Sequence, residues 1–274
     1  MAAMLALAGG IAGADQVVAT AAAADAVERT SWRGEVHEAS RLEVLNPFGD
    51  IRLRYGGEGR TVEVTAVLQQ LDPAGSRLEL EADVTEGSAL VRVVRRGGPE
   101  TPSPDLQADP SRADIVVLVP AGLAVAARGD RGFLESTGLD SDVELETVSG
   151  AIRVRFTRGR VLAHSERGGI SAVLLPGVTT APQRVSTATG SIEVWVSDVC
   201  SLEVTMATSA RVTSDYSMQV KHHDQEEPDK VATAVVGGGG SLLEVLSRRG
   251  DVALRRLVQP EQLAVRPAPG GAAP

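Results

Sequence analysis

The stretch Val185-Ser-Thr-Ala-Thr-Gly190-Ser-Ile-Glu-Val194 decides the fold of this chain, because variants of it return along the C-terminal half. The motif is an apolar residue, a hydroxyl residue, a glycine, and then two apolar residues in alternate positions. Sequence repeats of this length are typical of stacked supersecondary units. Matching copies occupy residues 145–154, 163–172, 185–194 and 245–254.

The glycine position of the motif recurs at nearly regular intervals. Its occupants are spaced by 18, 18, 22, 20 and 40 residues, and they are Gly132, Gly150, Gly168, Gly190, Ala210 and Gly250. An earlier segment, Gly49-Asp-Ile-Arg-Leu53, also fits, with Asn46 at the hydroxyl position. Two short strands and two turns use about 20 residues. Each copy is therefore predicted to form one coil of a parallel β-solenoid, although regular strand spacing would also suit the hairpins of a β-sandwich.

The motif makes three structural predictions. A glycine at the corner of each coil would permit a positive φ. The two apolar residues that follow would point to one face, because side chains alternate along a strand. The hydroxyl residues would form a ladder that satisfies backbone groups at the corners. The predicted ladder is Thr147, Ser165, Thr187 and Ser247; the predicted inward stack is Ile152, Ile170, Ile192 and Val252, with Arg153, Glu193 and Ala253 outward.

The N-terminal half, residues 33–120, shows the period-two alternation of antiparallel strands. Thr85–Ser88 predicts a hairpin turn, and the apolar run Ile115–Val119 predicts a strand buried on both faces. No segment after the leader has a persuasive helical period. The predicted fold is therefore all-β, with antiparallel N-terminal strands continuing into a parallel β-solenoid, in a single domain over residues 33–257.

Three segments interrupt or flank the repeats. Residues 221–230 form a charged excursion where a coil would otherwise run, and Gly237–Gly240 would act as a flexible joint. Residues 259–274 are rich in proline and are predicted to be a disordered tail.

The N-terminal leader, residues 1–26, predicts export. It has a short apolar run followed by small residues at alternate positions that suit signal peptidase. No basic residue precedes Arg29, so an alanine-rich disordered leader is the alternative. After the leader no stretch is long and apolar enough to predict a transmembrane helix. The expected location is the periplasm, the cell envelope or the extracellular space.

Composition excludes several classes of function. The net charge of −9 argues against a nucleic-acid-binding protein, which normally has a basic stripe. Cys200 is the only cysteine, so no intrachain disulfide is possible, and its apolar neighbours predict a buried thiol.

Two kinds of short motif could be mistaken for functional sites. The Arg-Gly-Asp triplets at residues 128–130 and 249–251 could bind a cell receptor, but aspartate is also a common corner residue. His222-His223-Asp224, with Glu226 and Glu227, resembles a metal cluster. Adjacent histidines in a strand point to opposite faces, so a solvated loop is the preferred interpretation.

No catalytic, cofactor-binding or metal-binding residue is predicted. Glu144, Glu146 and Glu193 fall at outward positions, aromatic residues are dispersed, and no nucleophile elbow, phosphate loop or dinucleotide fingerprint is present. The sequence favours a non-enzyme that binds an unidentified envelope protein or glycan. The alternatives are a carbohydrate-active β-helix enzyme and an envelope-stress sensor or regulator.

The chain resembles bacterial envelope proteins that contain the putative adhesin domain, a β-strand-repeat family of unknown function. The resemblance covers residues 36–257 and is carried by residues 42–53, by Val117–Gly122, and by the copies at Gly150, Gly168, Gly190 and Gly250. It implies an exported, solenoid-like domain without established catalytic residues. The expected function is that of a non-catalytic structural or binding module of the envelope.

Export predicts cleavage of the leader after Ala24 or Ala26. Mass spectrometry of the protein from its native cell should find Asp25 or Val27 at the N-terminus. An intact Met1 in the cytosolic fraction would contradict the prediction.

Overall fold

The computed structural model describes most of the chain, and in that part every regular element is a β-strand. This agrees with the all-β expectation. The leader, apart from Ala26, and the C-terminal tail lie outside the described residues. The described ranges are 26–36, 41–57, 59–70, 76–85, 87–98, 110–177, 180–224 and 227–257.

The strands form two mixed sheets. Sheet A has ten strands, in the spatial order β1 (Ala26–Glu35), β4 (Thr61–Gln70), β7 (Arg112–Val119), β3 (Ile51–Tyr55), β9 (Leu134–Thr137), β11 (Ile152–Thr157), β13 (Ile170–Leu174), β15 (Ile192–Val196), β21 (Val252–Arg256) and β17 (Val212–Ser214). Sheet B has eleven, in the order β18 (Met218–His222), β19 (Lys230–Val236), β16 (Leu202–Thr208), β20 (Ser241–Ser247), β14 (Gln183–Thr189), β12 (Val161–Arg167), β10 (Val143–Ser149), β8 (Ala124–Arg131), β2 (Arg41–Leu45), β6 (Ser88–Arg96) and β5 (Arg77–Val84).

Most strands belong to a repeated unit, which consists of a strand of sheet B, a turn, and the following strand of sheet A. The turn, which we call the corner, contains the glycine position of the motif. Neighbouring units pair in parallel in both sheets. The predicted inward stack is confirmed, because Ile152, Ile170, Ile192 and Val252 are buried and in register. Arg153, Glu193 and Ala253 lie on the opposite, half-exposed face. The inward residues of both sheets form one core, built mainly of valine, leucine, isoleucine and alanine.

The spatial order of the units differs from their order in the sequence. The unit β20–β21 lies between β14–β15 and β16–β17, so the copy at Gly250 stacks on the copy at Gly190. In the sequence, by contrast, the position after Gly190 in the series is Ala210. Ala210 is the corner residue of the outermost unit. That corner has a neighbouring corner on one side only, so its side chain can be accommodated.

Antiparallel strands lie at both ends of the stack. At one end β4 pairs with β7, β1 with β4, and β5 with β6; at the other, β19 pairs with β16 and β18 with β19. The predicted antiparallel N-terminal end is therefore correct only in part, because β2 and β3 form a parallel unit. The charged excursion at residues 221–230 lies in the antiparallel hairpin of β18 and β19, and its end residues Lys221, His222 and Lys230 belong to those strands.

Two further predictions are resolved by local geometry. The hairpin at Thr85–Ser88 is confirmed, with the Thr85 N–H donating to the Ser88 carbonyl at 2.9 Å. The strand at Ile115–Val119 is buried on one face only, because Val116 and Leu118 are half-exposed. Gly237–Gly240 forms a turn between β19 and β20, with positive φ at Gly237, Gly239 and Gly240.

The corner glycines are required by close approach rather than by a positive φ. Of the corner glycines in the C-terminal series, only Gly132 has a positive φ, of 103°. A Cβ placed on Gly168 would lie 1.9 Å from the carbonyl oxygen of Gly150, and one on Gly250 would lie 1.8 Å from that of Gly190. Real atoms cannot approach so closely. The backbone of one corner therefore touches the next at a distance that excludes any side chain.

The predicted hydroxyl ladder joins neighbouring corners. Each hydroxyl donates to the carbonyl of the glycine in the adjoining unit, and the ladder follows the spatial order of the units. The bonds are Ser165 to Gly150 at 3.0 Å, Thr187 to Gly168 at 3.0 Å, Ser247 to Gly190 at 2.8 Å and Thr208 to Gly250 at 2.7 Å. Thr147 is the exception: its Oγ1 is buried without a partner, and the corner before it is Gly132.

Side chains of other types cap the ladder at its two ends. At the N-terminal end the Asn46 amide donates to the Ala113 carbonyl at 2.8 Å. At the C-terminal end the Lys230 ammonium donates to the carbonyls of Ser209 at 3.1 Å and Ala210 at 2.9 Å. These donors take the place of the hydroxyls that a further unit would supply.

The close approach predicts that Gly168→Ala lowers stability, because the added Cβ must displace the Gly150 carbonyl. The expected loss is about 1–3 kcal/mol, or several degrees in Tm by thermal unfolding. Gly238→Ala is the matched control, because a Cβ there meets nothing within 4 Å and φ is not positive. Equal Tm values for the two variants would contradict the account.

Candidate functional site

An ion-paired patch covers the outer face of sheet B over β2, β8 and β10. The Arg128 guanidinium lies 3.4 Å from Glu43, 3.5 Å from Glu144 and 3.1 Å from Glu146, and Arg41 lies 2.7 Å from Glu144. The predicted outward positions of Glu144 and Glu146 are therefore confirmed. Each carboxylate in this patch faces a guanidinium, so the patch offers little net charge to a ligand.

Glu193 lies on the other outer face, on sheet A. The Arg255 guanidinium contacts Glu193 at 3.3 Å and Asp215 at 3.4 Å. The main-chain N–H of Arg256 donates to Asp215 at 3.0 Å, and this bond is the main reason that the pKa of Asp215 is lowered. Glu193 is thus separated from Glu144 and Glu146 by the whole core.

Both Arg-Gly-Asp triplets are part of the repeat. In the first, Gly129 is buried in β8, in register with Thr147 of β10. In the second, Gly250 is a corner residue, and Asp251 accepts the N–H of Arg211 in the adjoining unit at 3.1 Å. Asp50 does the same for the N–H of Phe133 at 2.9 Å. These bonds support the interpretation of Asp251 as a corner residue, whereas Asp130 of the first triplet lies within β8.

The histidine cluster lies at the C-terminal end of the stack. His222 ends β18, and the N–H of His223 donates to the Asp229 carbonyl at 2.8 Å. Glu226 lies outside the described residues. In the part of the chain that the structure describes, no three histidine, cysteine, aspartate or glutamate side chains converge as a metal site would require.

Cys200 is buried, as predicted, with 5% of its surface exposed. It lines a cavity of about 270 Å³ together with Leu174, Val199 and Leu202. Burial raises the pKa of the Cys200 thiol. A thiol in this setting is a poor nucleophile, because the thiolate is the reactive form.

The outer face of sheet B also contains a trough, which we call the β14 trough. Its floor is formed by Ser186 and Ala188 of β14, two small side chains. One wall is formed by His164 of β12, and the other by Leu246 and Arg248 on the side of β20. The trough runs parallel to the strands and encloses about 630 Å³.

The walls and ends of the β14 trough carry polar and charged groups. The His164 Nδ1 and the Ser186 Oγ are 2.9 Å apart, which joins one wall to the floor. Arg184 lies at one end, where Glu244 is 3.8 Å away. Arg167, Arg248, Glu166 and Thr189 lie at the other end. Within the described residues the guanidiniums of Arg167 and Arg248 form no ion pair or hydrogen bond.

A second surface lies at the C-terminal end of the stack. Sheet A ends with β17, which has three residues, whereas sheet B continues past β16 with β19 and β18. Val220 of β18 is 41% exposed, although it lies beside Ala232, which is fully buried. An opening of about 480 Å³ is lined by Val212, Val220 and the side chains of Arg211, His222 and Lys230. We call this opening the end slot.

The sequence pointed to part of one of these surfaces and gave no indication of the other. The end slot overlaps the charged segment 221–230 at His222 and Lys230, whereas its other lining residues come before that segment. The β14 trough could not be found, because its wall residues Leu246 and Arg248 come from a unit that the sequence did not place beside β14. The small side chains at Ser186 and Ala188 were the one available signal.

The chain is similar to the solved structures of three bacterial proteins. A putative cell adhesion protein from Clostridium sporogenes has a TM-score of 0.47 and 10% identity, over 85% of this chain and 100% of that chain. A putative adhesin from Bacteroides fragilis has a TM-score of 0.38 and 11% identity, over 84% and 97%. A putative adhesin from Parabacteroides distasonis has a TM-score of 0.25 and 13% identity, over 84% and 97%.

The names of these structures are those of the group that the sequence resembles. No protein-family model matches the chain, and no curated protein matches it. Similarity at this level of identity carries no information about a ligand. Among the described residues, no helix is long and apolar enough to cross a membrane.

The burial of Cys200 predicts slow reaction with a thiol reagent. At mildly alkaline pH the native protein should react at least roughly tenfold more slowly than the same protein unfolded in denaturant, because both the raised pKa and the lack of access oppose attack. Ellman's reagent measures both rates. Equal rates would contradict the buried position.

Proposed function

We propose that the chain is a non-catalytic binding module, exported to the bacterial envelope, whose core is a parallel β-solenoid of units of about 20 residues. The parallel pairing of successive units in both sheets supports the solenoid. The leader and the family resemblance support export. Several charged side chains outside the two openings are paired with one another, as in the patch around Arg128.

The end slot is the observation that carries the proposal. Sheet A stops where sheet B continues, so an extended segment of a partner can add to the free edge of β17 and lie over Val220. Strand addition of this kind supplies main-chain hydrogen bonds for affinity and side-chain pockets for specificity. The occupant is an extended segment of an envelope protein with an apolar residue that covers Val220.

The charges around the slot favour a partner segment with an acidic residue. Arg211 and His222 are exposed and line the slot together with Val212 and Val220. Lys230 also lines the slot, next to the corner that contains Ala210. Lys230 already donates to two carbonyls, so it holds the floor of the slot in place. Arg211 and His222 are left to meet a carboxylate of the partner.

Rigid stacking suits this role. Every unit pairs with a neighbour in both sheets, so the slot is held at a fixed place at the end of a stiff body. A binding segment therefore need not order the surface that receives it, and less free energy is lost on association.

The proposal predicts that Val220→Lys abolishes capture of the partner, because a charge would replace the apolar contact in the slot. The test is chemical crosslinking of the purified protein with envelope extract, followed by mass spectrometry. Val84→Lys is the matched control, since Val84 is an exposed valine of β5, the edge strand at the opposite end of sheet B.

A partner captured by the native protein and by Val84→Lys, and lost with Val220→Lys, is the expected result. Equal capture by all three proteins would contradict the slot as the contact surface. Cleavage of a glycan or peptide by the purified protein, lost when a defined pair of carboxylates is replaced, would contradict the non-catalytic role.

A further inference from the structure

We infer that the β14 trough is a binding site for an extended acidic polysaccharide, separate from the end slot. The inference goes beyond the proposed function, because it concerns another face of the molecule and another class of ligand. It depends on the shape of the trough, on the two free guanidiniums, and on the absence of main-chain groups available to a peptide.

The shape of the trough fits one chain lying along the strands. The floor is one strand wide, and its walls are the neighbouring strands on each side, so the walls are about 10 Å apart. From Arg184 to Thr189 the floor is about 17 Å long at the usual rise of a strand. A single polymer chain can lie in such a trough with its sides in contact with both walls.

The charges of the trough indicate an acidic ligand. Elsewhere on the outer face of sheet B, Arg128 of β8 and Arg92 of β6 are each paired with a glutamate. Arg167 and Arg248 have no such partner in the described part of the chain. Both of these guanidiniums lie at the same end of the trough. A guanidinium binds a carboxylate or a sulfate through two parallel hydrogen bonds.

The remaining polar groups favour a sugar over a peptide. The trough lies on the face of a sheet whose main-chain groups are already paired in β12, β14 and β20, so a peptide strand would find no ladder to join. Recognition must come from side chains. The Glu166 carboxylate, the Thr189 hydroxyl and the free ring nitrogen of His164 can bind sugar hydroxyls, while Arg167 and Arg248 bind the acid groups.

The experiment measures binding of fluorescent oligosaccharides by anisotropy at low ionic strength. The probes are oligogalacturonate for carboxylates, a heparin oligosaccharide for sulfates, neutral dextran oligosaccharide, and poly-glutamate as the peptide. One or both acidic oligosaccharides should bind, and neither dextran nor poly-glutamate should bind comparably. Whichever acidic oligosaccharide binds more tightly identifies the acid group.

Two variants test the site, and a matched variant controls for charge. Arg167→Gln with Arg248→Gln should weaken binding tenfold or more. Ala188→Phe should do the same without changing charge, because it fills the floor of the trough. Arg29→Gln with Arg54→Gln removes the same charge from exposed arginines of sheet A and should change the Kd less than twofold.

Several results would overturn the inference. One is that neither acidic oligosaccharide binds. Another is that the Arg29/Arg54 double variant weakens binding as much as the Arg167/Arg248 double variant, or that Ala188→Phe leaves binding unchanged. The last is that poly-glutamate binds equally tightly and depends in the same way on Arg167 and Arg248. Circular dichroism confirms that each variant is folded. Val220→Lys leaves the trough intact. If the end slot proves not to bind a partner, the result of the oligosaccharide experiment is therefore unaffected.

Discussion

The contact between neighbouring corners is the constraint on which the rest of the structure depends. At the corners of Gly168, Gly190 and Gly250, the glycine backbone lies against the carbonyl of the glycine in a neighbouring unit, and a serine or threonine hydroxyl donates to that carbonyl. The absence of a side chain lets the units approach to the spacing of hydrogen-bonded strands, and the hydroxyl bond joins their corners. Parallel pairing in both sheets, and the stacking of Ile152 on Ile170, follow from these two contacts.

The same contact explains how the stack ends. A corner without a neighbouring unit would leave its carbonyl without the hydroxyl donor that the other corners have. Asn46 supplies the donor at one end and Lys230 at the other. The outermost unit is also the one with alanine at its corner. Beyond it, sheet B continues as a hairpin that sheet A does not match, and this mismatch creates the end slot.

Sequence reasoning identified what each unit does but not which units are neighbours. The inward residues and the hydroxyl ladder follow from spacing alone, so Ile192, Val252, Thr187 and Ser247 were predicted correctly. All copies present equivalent corners, however, and nothing in the motif says that Gly250 contacts Gly190. The β14 trough depends on that contact, and it was missed for this reason. Leu118 was predicted to be buried, because a continuous apolar run does not show which face of the sheet is exposed to solvent.

The central claim is that the unit β20–β21 is inserted between β14–β15 and β16–β17. Two double-cysteine variants, made with Cys200→Ser, test it directly by disulfide formation. Positions 193 and 253 are paired in the structure, whereas positions 193 and 213 are separated by an intervening strand. Neighbouring strands lie within disulfide reach, and strands about 10 Å apart do not. The account predicts that the pair at 193 and 253 forms a disulfide in the folded protein and that the pair at 193 and 213 does not; the reverse would contradict it.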